Sequence, residues 1–218
     1  HHRYETALNY RNWRREQGTA DGSEDYLMMM LVNMEHDGLV VFPTHRLVRG
    51  LEGFSTGHLL NGCRNEFDVT PEKNIAEIEP MLSRLYHQGK KAFAFYGGGS
   101  GWALLVLKDM GIMEKVLPEK STAYRGLDVT ILHSLILEKH LGIDKKNMAE
   151  QVNLSYTRSF REAIESVQNG DSQCAFILNP TRVAEIRDVA SAGEKMPQKS
   201  TYFYPKLITG LVMNQLSD

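Results

Sequence analysis

The chain has 218 residues, 42% of them hydrophobic and 24% charged, and a formal net charge of -2 at pH 7. That length suits one large domain or two small ones, with a real core, and the charge argues against a surface that attracts nucleic acid as a whole. No run approaches the roughly 20 apolar residues of a membrane span, and no charged-then-apolar leader is read, so a cytoplasmic protein with no membrane partner is expected.

The sequence opens HHRYETALNY. Two histidines at a terminus resemble a tag remnant, yet Tyr4 to Gln17 continues at once as a helix with Gly18 as its C-terminal cap. Arg3, Arg11, Arg14 and Arg15 share one face with Ala7 at helical periodicity. Two readings stand for this stripe: a solvated face, or a surface turned towards an anion. The apolar runs YLMMMLVNM and LVVFPTHRLV then flank Asp37-Gly38, a hairpin signal, and the methionine cluster is read as core. Pro43 cannot donate to a ladder, so the second strand is expected to be bulged or at an edge, with Thr44, His45 and Arg46 re-aimed beside the irregularity.

Thr70 and Pro71 resemble the cap and first turn of a helix that carries Ile75, Ile78, Leu82 and Leu85 on one face, with Pro80 kinking or splitting it. KAFAFYGGGSGWALLVLKD invites a phosphate-loop reading, but Trp102 and another strand follow the glycines where that loop needs a lysine and a hydroxyl. It reads instead as a glycine-rich hairpin, AFAFY against WALLVLK. From Leu127 to Leu141 the chain is apolar on nearly every side and Gly142 follows, which describes a buried central helix. His133 and His140 share a face of it without a third ligand, so packing or a buried hydrogen bond is expected and no metal. Cys63 and Cys174 stand apart and read as free thiols.

In the C-terminal third, VNLSYT is a strand, Ser159 with Glu162 forms a capping box, and Ala163, Ile164 and Val167 face the core of a helix ended by Gly170. QCAFIL is a second strand that leads into a second helix, with Asn179 as cap, Pro180 in the first turn and Gly193 at the close. The fold class is therefore α/β (α+β): a mixed β-sheet with hairpins and a C-terminal strand-helix-strand-helix unit, packed around a buried central helix. A strand that runs into a helix N-terminus presents free backbone N–H groups, so Asn179, Thr181 and Arg182 are either ordinary capping or an anion site. The tail holds Lys199, Ser200, Thr201 and Lys206 around Tyr202, Phe203 and Tyr204, ahead of a strand LITGLVM. It is either an exposed loop with an edge strand or a set of cations and hydroxyls for a carboxylate or phosphate.

Five blocks in this order, HHRYETALNYR, LMMMLVNMEHDGLVVFPTHRLV, LDVTILHSLILEKHLGI, LNPTRV and MPQKSTYFYPKLITGLV, resemble the C-terminal half of the bacterial and archaeal domain-of-unknown-function family 1015. In that family Asp-Gly precedes the histidine pair, and Asp-Gly-His-His-Arg resembles a phosphate-binding motif of the ParB-like superfamily, which includes the free serine kinases. The resemblance implies that His1, His2 and Arg3 are the second half of a phosphate-binding motif. It further implies a single α/β domain over 1–218 within a longer protein, whose N-terminal half is a partner of this one and holds the catalytic base. The ligand is expected to be a small anion, with ATP or ADP and magnesium as cofactors and no protein metal site. Two functions follow: a small-molecule phosphotransferase of serine or phosphoserine, or a non-enzymatic nucleotide- or anion-binding regulatory module. The candidate binding residues are Thr44, His45, Arg46, Asn179, Thr181, Arg182, Lys199, Thr201 and Lys206, and no catalytic residue is assigned.

Overall fold

The computed structural model describes residues 2–34, 36, 38–99, 101–204, 206 and 213, with His2 described by its backbone. The chain divides into two compact units, one of His1–Val40 with Pro205–Asp218 and one of Val41–Tyr204.

In the first unit, helix α1 (His2–Glu16) is followed by a 3-10 turn at Ser23–Asp25. Gly18, at φ 68, ends the helix as expected. The amides of Thr19 and Gly18 bond back to the carbonyls of Arg14 and Arg15, both at 3.1 Å, which satisfies the last turn as a Schellman pair. The expected hairpin does not form. Residues 26–34 have no regular structure, and Met28, Met29 and Met30 are 74%, 58% and 54% exposed, so they are not core. The second apolar run does form strands. Pro43 divides it into β1 (Val40–Phe42), which pairs with β8 (Tyr202–Tyr204), and β2 (His45–Val48), which has a neighbour on each side. Pro43 thus separates two strands, and β2 lies inside the sheet, not at its edge. The strand expected at LITGLVM falls on residues 207–213, of which 207–212 lie outside the described residues.

The second unit is built on a six-stranded sheet, β3-β5-β4-β7-β2-β6, with β3 (Phe67–Glu72), β4 (Ala92–Tyr96), β5 (Trp102–Leu107), β6 (Leu154–Thr157) and β7 (Cys174–Ile177). Every neighbouring pair is antiparallel. The glycine-rich hairpin forms as read, with Tyr96 opposite Trp102. β6 and β7 are both antiparallel to β2 and therefore parallel to one another across it, joined by the helix between them.

The helices are α2 (Thr56–Cys63), α3 (Ile75–His87), α4 (Gly111–Val116), α5 (Thr122–Arg125), α6 (Asp128–Leu132), α7 (Lys139–Leu141), α8 (Lys145–Glu150), α9 (Phe160–Gln168) and α10 (Val183–Ser191). The segment His133–Glu138 continues α6 into α7 as a π-helix, so the expected central helix runs unbroken to Gly142, which takes φ 67. Side chains alternate across the strands and feed two cores. Phe93, Phe95, Val48 and Phe176 pack with Ile131, Leu135 and Ile136 of the central helix. Ala94, Tyr96, Leu47 and Ala175 pack on the other face with Ile78 and Leu82 of α3 and Ala163 and Val167 of α9. Both faces are therefore covered, which explains why the strands read as continuous apolar runs.

Three boundaries differ from the sequence reading. Thr70 and Pro71 lie within β3, and α3 is capped by Asn74, whose side chain accepts from the amide of Ala76 at 3.1 Å. Pro80 sits within α3 without splitting it. α10 begins at Val183 with Arg182 as its cap, because Asn179 spends its side chain elsewhere, donating to the Leu82 carbonyl at 3.1 Å. The Ser159 cap of α9 is as expected, accepting from the Glu162 amide at 3.1 Å. Cys63 and Cys174 are buried free thiols, and burial pushes both up, Cys63 to about 12.

Candidate functional site

Arg46 has the same strand parity as Val48, so its side chain enters the layer between the sheet and the central helix. It stands opposite Tyr156 of β6 and Phe176 of β7, and it is 1% exposed. Its guanidinium lies 5.4 Å from the centre of the Tyr156 ring. Nε donates to His133 Nε2 at 3.3 Å, Nη2 to the Lys199 carbonyl at 3.0 Å, and Nη1 to the Thr44 carbonyl. All three acceptors are uncharged. Burial lowers the Arg46 pKa to about 10, which still leaves the group cationic at neutral pH.

Two histidines flank this charge and stay neutral. His133, where the π-helical segment begins, is pushed well below the usual imidazole range by burial and then by Arg46. A guanidinium only donates, so His133 Nε2 is the acceptor and Nδ1 carries the proton. His45 is lowered to about 4 by burial and then by Arg46, and its Nδ1 accepts from the Leu178 amide at 3.3 Å.

The loop 197–201 is held through three of its carbonyls. Arg46 takes that of Lys199 at 3.0 Å, Thr181 Oγ1 donates to that of Ser200 at 2.8 Å, and Ser200 Oγ donates to that of Pro197 at 2.6 Å. Within the loop Lys199 has φ 55, a left-handed conformation that a lysine adopts only where its surroundings impose it. Its Nζ lies 5.9 Å from the centre of the same Tyr156 ring. Among the described residues no carboxylate comes within 4.0 Å of Arg46 or Lys199.

Thr44, Arg46, Thr181 and Lys199 are thus brought together around one loop, with the half-buried Thr201 next in the chain. Arg182 is committed elsewhere. Its guanidinium stacks 3.7 Å above Tyr86, Nη2 donates to the Tyr86 carbonyl, and its amide is capped by Glu185 at 2.9 Å. Glu185 and Asp128 both face Lys91, at 3.0 and 3.1 Å, so carboxylates already occupy that neighbourhood. In the first unit, Arg11, Arg14 and Arg15 pair with Asp25, Asp21 and Asp25 at 3.7, 3.1 and 2.7 Å, so most of the basic stripe is neutralised by the segment that follows it. Arg3 and Lys206 are exposed. His1 and the side chain of His2 lie outside the described residues.

Tyr156 lines two cavities. One, of about 240 Å³, includes Thr130, His133, Ser134 and Tyr124 in its walls. The other, of about 350 Å³, is bounded by Phe42, Thr157, Arg158, Ser159 and Glu162. Tyr156 and Thr130 were missed in the sequence because only the pairing of β6 with β2, and the packing of the central helix over it, give them a role. Among the described residues no cluster of three His, Cys, Asp or Glu is placed to hold a metal, and no helix is long and apolar enough to cross a membrane.

Among solved structures, the chain is similar to a free serine kinase in complex with AMP, at 15% identity and a TM-score of 0.47, over 80% of this chain and 57% of that one. A conserved hypothetical protein from Pyrococcus furiosus is similar at 15% identity and a TM-score of 0.46, over 80% of this chain and 60% of that one. The chain therefore spans less than two thirds of the length of these proteins. No curated protein matches it. The model of the family described as protein of unknown function (DUF1015) matches residues 1–130, more than half of the 218 residues, and the chain belongs to that family.

Proposed function

We propose that this chain is part of a small-molecule phosphotransferase that acts on a hydroxylated amino acid such as serine, or in reverse on phosphoserine, with an adenine nucleotide as second substrate. One observation carries the reading: Arg46 and Lys199 approach a single ring, that of Tyr156, at 5.4 and 5.9 Å, and neither has an ion-pair partner among the described residues. Arg46 is buried and Lys199 exposed; burying a cation without a counter-charge is costly, and an anionic group beside Arg46 offsets that cost. Phosphoryl transfer depends on such positioning and charge, because little covalent chemistry falls to the protein.

In this reading Lys199 and Thr201 bind the carboxylate or phosphate of the amino acid. Arg46 is a positioning residue that holds the Lys199 backbone. Thr44 and Thr181 fix the same loop, and His1, His2 and Arg3 hold nucleotide phosphates. Unpaired cations and hydroxyls fit phosphate oxygens, whereas magnesium is given no protein ligand and arrives with the nucleotide. The general base is assigned to no residue of this chain.

The test is phosphate exchange in the full-length protein with serine or phosphoserine, adenine nucleotides and magnesium, followed by phosphorus NMR. Exchange is expected, with loss in His2→Ala and a fall of about 100-fold or more in Lys199→Ala. Tight nucleotide binding without exchange would replace this reading with that of a regulatory module.

A further inference from the structure

We propose that the cavity beneath the central helix is a second ligand site, which takes a small organic carboxylate with an apolar body. It shares Arg46 and Tyr156 with the phosphotransfer reading and rests besides on the cavity and on Thr130, neither of which that reading uses. Thr130, His133 and Ser134 are spaced i, i+3 and i+4, so they share one face of the helix, and all three line the cavity. Leu117, Tyr124, Met148 and Tyr156 contribute apolar wall. At about 240 Å³ the space far exceeds the roughly 10–15 Å³ that one water needs, and it matches a molecule of metabolite size.

The hydrogen bonding of the walls is incomplete. Thr130 is 4% exposed, and its Oγ1 is buried without a partner among the described residues. Folded proteins rarely leave such a group unmade unless something else completes it. Beside it, His133 has its Nε2 occupied by Arg46, which leaves Nδ1–H as the ring's donor. A ligand oxygen can therefore be met by a hydroxyl and an imidazole N–H from the same helix face.

The charges select an anion. Lys120, Lys145 and Glu138 line the cavity, and the unpaired charge of Arg46 lies behind its His133 and Tyr156 wall. Lys120 is partly offset by Glu194 at 3.6 Å and Glu138 balances Lys145, so the surplus positive charge is that of Arg46. One anionic group fits that balance, and the remaining wall is apolar. Together these describe a monocarboxylate.

The experiment titrates the full-length protein with 3-phenylpropionate, its uncharged counterpart 3-phenylpropan-1-ol, and phenyl phosphate, by calorimetry and by the NMR signals of the His133 ring. Saturable binding of 3-phenylpropionate is expected, at least about tenfold tighter than either other probe, with the His133 signals shifting. Thr130→Val, which has the same shape and removes an unsatisfied hydroxyl, is expected to fold and to bind about tenfold more weakly, while Thr130→Ser retains binding. In Lys199→Ala the loss of a cation 5.9 Å from the Tyr156 ring is expected to weaken this binding by less than Thr130→Val does, while phosphate exchange falls about 100-fold or more, which separates the result from the fate of the phosphotransfer reading. Absence of saturable binding, equal binding of the alcohol, tighter binding of phenyl phosphate, or wild-type affinity in a folded Thr130→Val would each overturn the proposal.

Discussion

Arg46 Nε lies 3.3 Å from His133 Nε2, across 87 positions of sequence, so a strand side chain sets the tautomer of a helix side chain. The guanidinium has no acceptor to offer, and a neutral imidazole must place its proton on the other nitrogen. Nitrogen-15 NMR is therefore expected to show His133 in the Nδ1–H form between pH 5.5 and 8. In Arg46→Met both tautomers should appear, and the titration should move upward because a neighbouring positive charge has gone. It should stay below the ordinary histidine range, since burial is the larger cause of the shift. An Nε2–H form in the wild type would contradict the hydrogen bond itself.

His45, which is buried, and the half-buried His133 also make stability depend on pH. Both are held below the ordinary imidazole value in the folded protein, His45 at about 4, so the unfolded chain takes up their protons first. Stability is present above pH 6.5 and is lost as the pH falls through the window down to about 4. For His45 alone the loss across that window is about 3 kcal/mol. Asp128, raised by burial, works in the opposite direction as it gains its proton. Urea unfolding between pH 4.5 and 7.5 is expected to show the decline on acidification, and His45→Gln should flatten it. A pH-independent wild type would refute the assignment of these rings as neutral in the folded protein.

Much of this architecture was legible because its signals are local. The AFAFY and WALLVLK hairpin, the buried helix ended by Gly142 and the Ser159 cap each follow from a few adjacent residues, and each forms. The failures are choices between partners. YLMMMLVNM announces an apolar segment, but nothing in it says that β1 will pair with β8 and β2 with β6 and β7. Asn179 and Pro180 look like a cap and first turn, yet the carbonyl of Leu82 claims the asparagine. The site divides in the same way. Arg46 and Lys199 could be named as cations, and His133 as a buried hydrogen-bonding group. Their convergence on Tyr156 requires the sheet order, and the incomplete bonding of Thr130 is visible only once the helix is seated.

Lys199 offers a test of whether strain is retained for binding. At φ 55 its backbone lies in a region that asparagine tolerates better than lysine. Lys199→Asn is expected to stabilise the protein by roughly 0.5–1 kcal/mol in urea unfolding. The same substitution removes the ammonium beside Tyr156, so phosphate exchange should fall although the fold gains. A loss of both stability and activity would mean that the lysine side chain, and not the loop it sits on, supports the structure.

Arg182 decides between the two readings that the sequence left open for the start of α10. Its guanidinium stacks 3.7 Å above Tyr86 and bonds the Tyr86 carbonyl, while Glu185 already caps its amide at 2.9 Å. Those contacts use Nη2 and the backbone amide, and Glu185 adds a charge that repels an anion. Arg182→Met keeps the apolar stem and removes the stacked cation and its hydrogen bond, for an expected loss of about 1–2 kcal/mol of stability. Affinity for serine, phosphoserine and nucleotide should remain at the wild-type value, measured by calorimetry well below the unfolding temperature. If affinity instead drops tenfold or more while the fold persists, the helix start is an anion site, and Arg182 joins Lys199 among the binding residues.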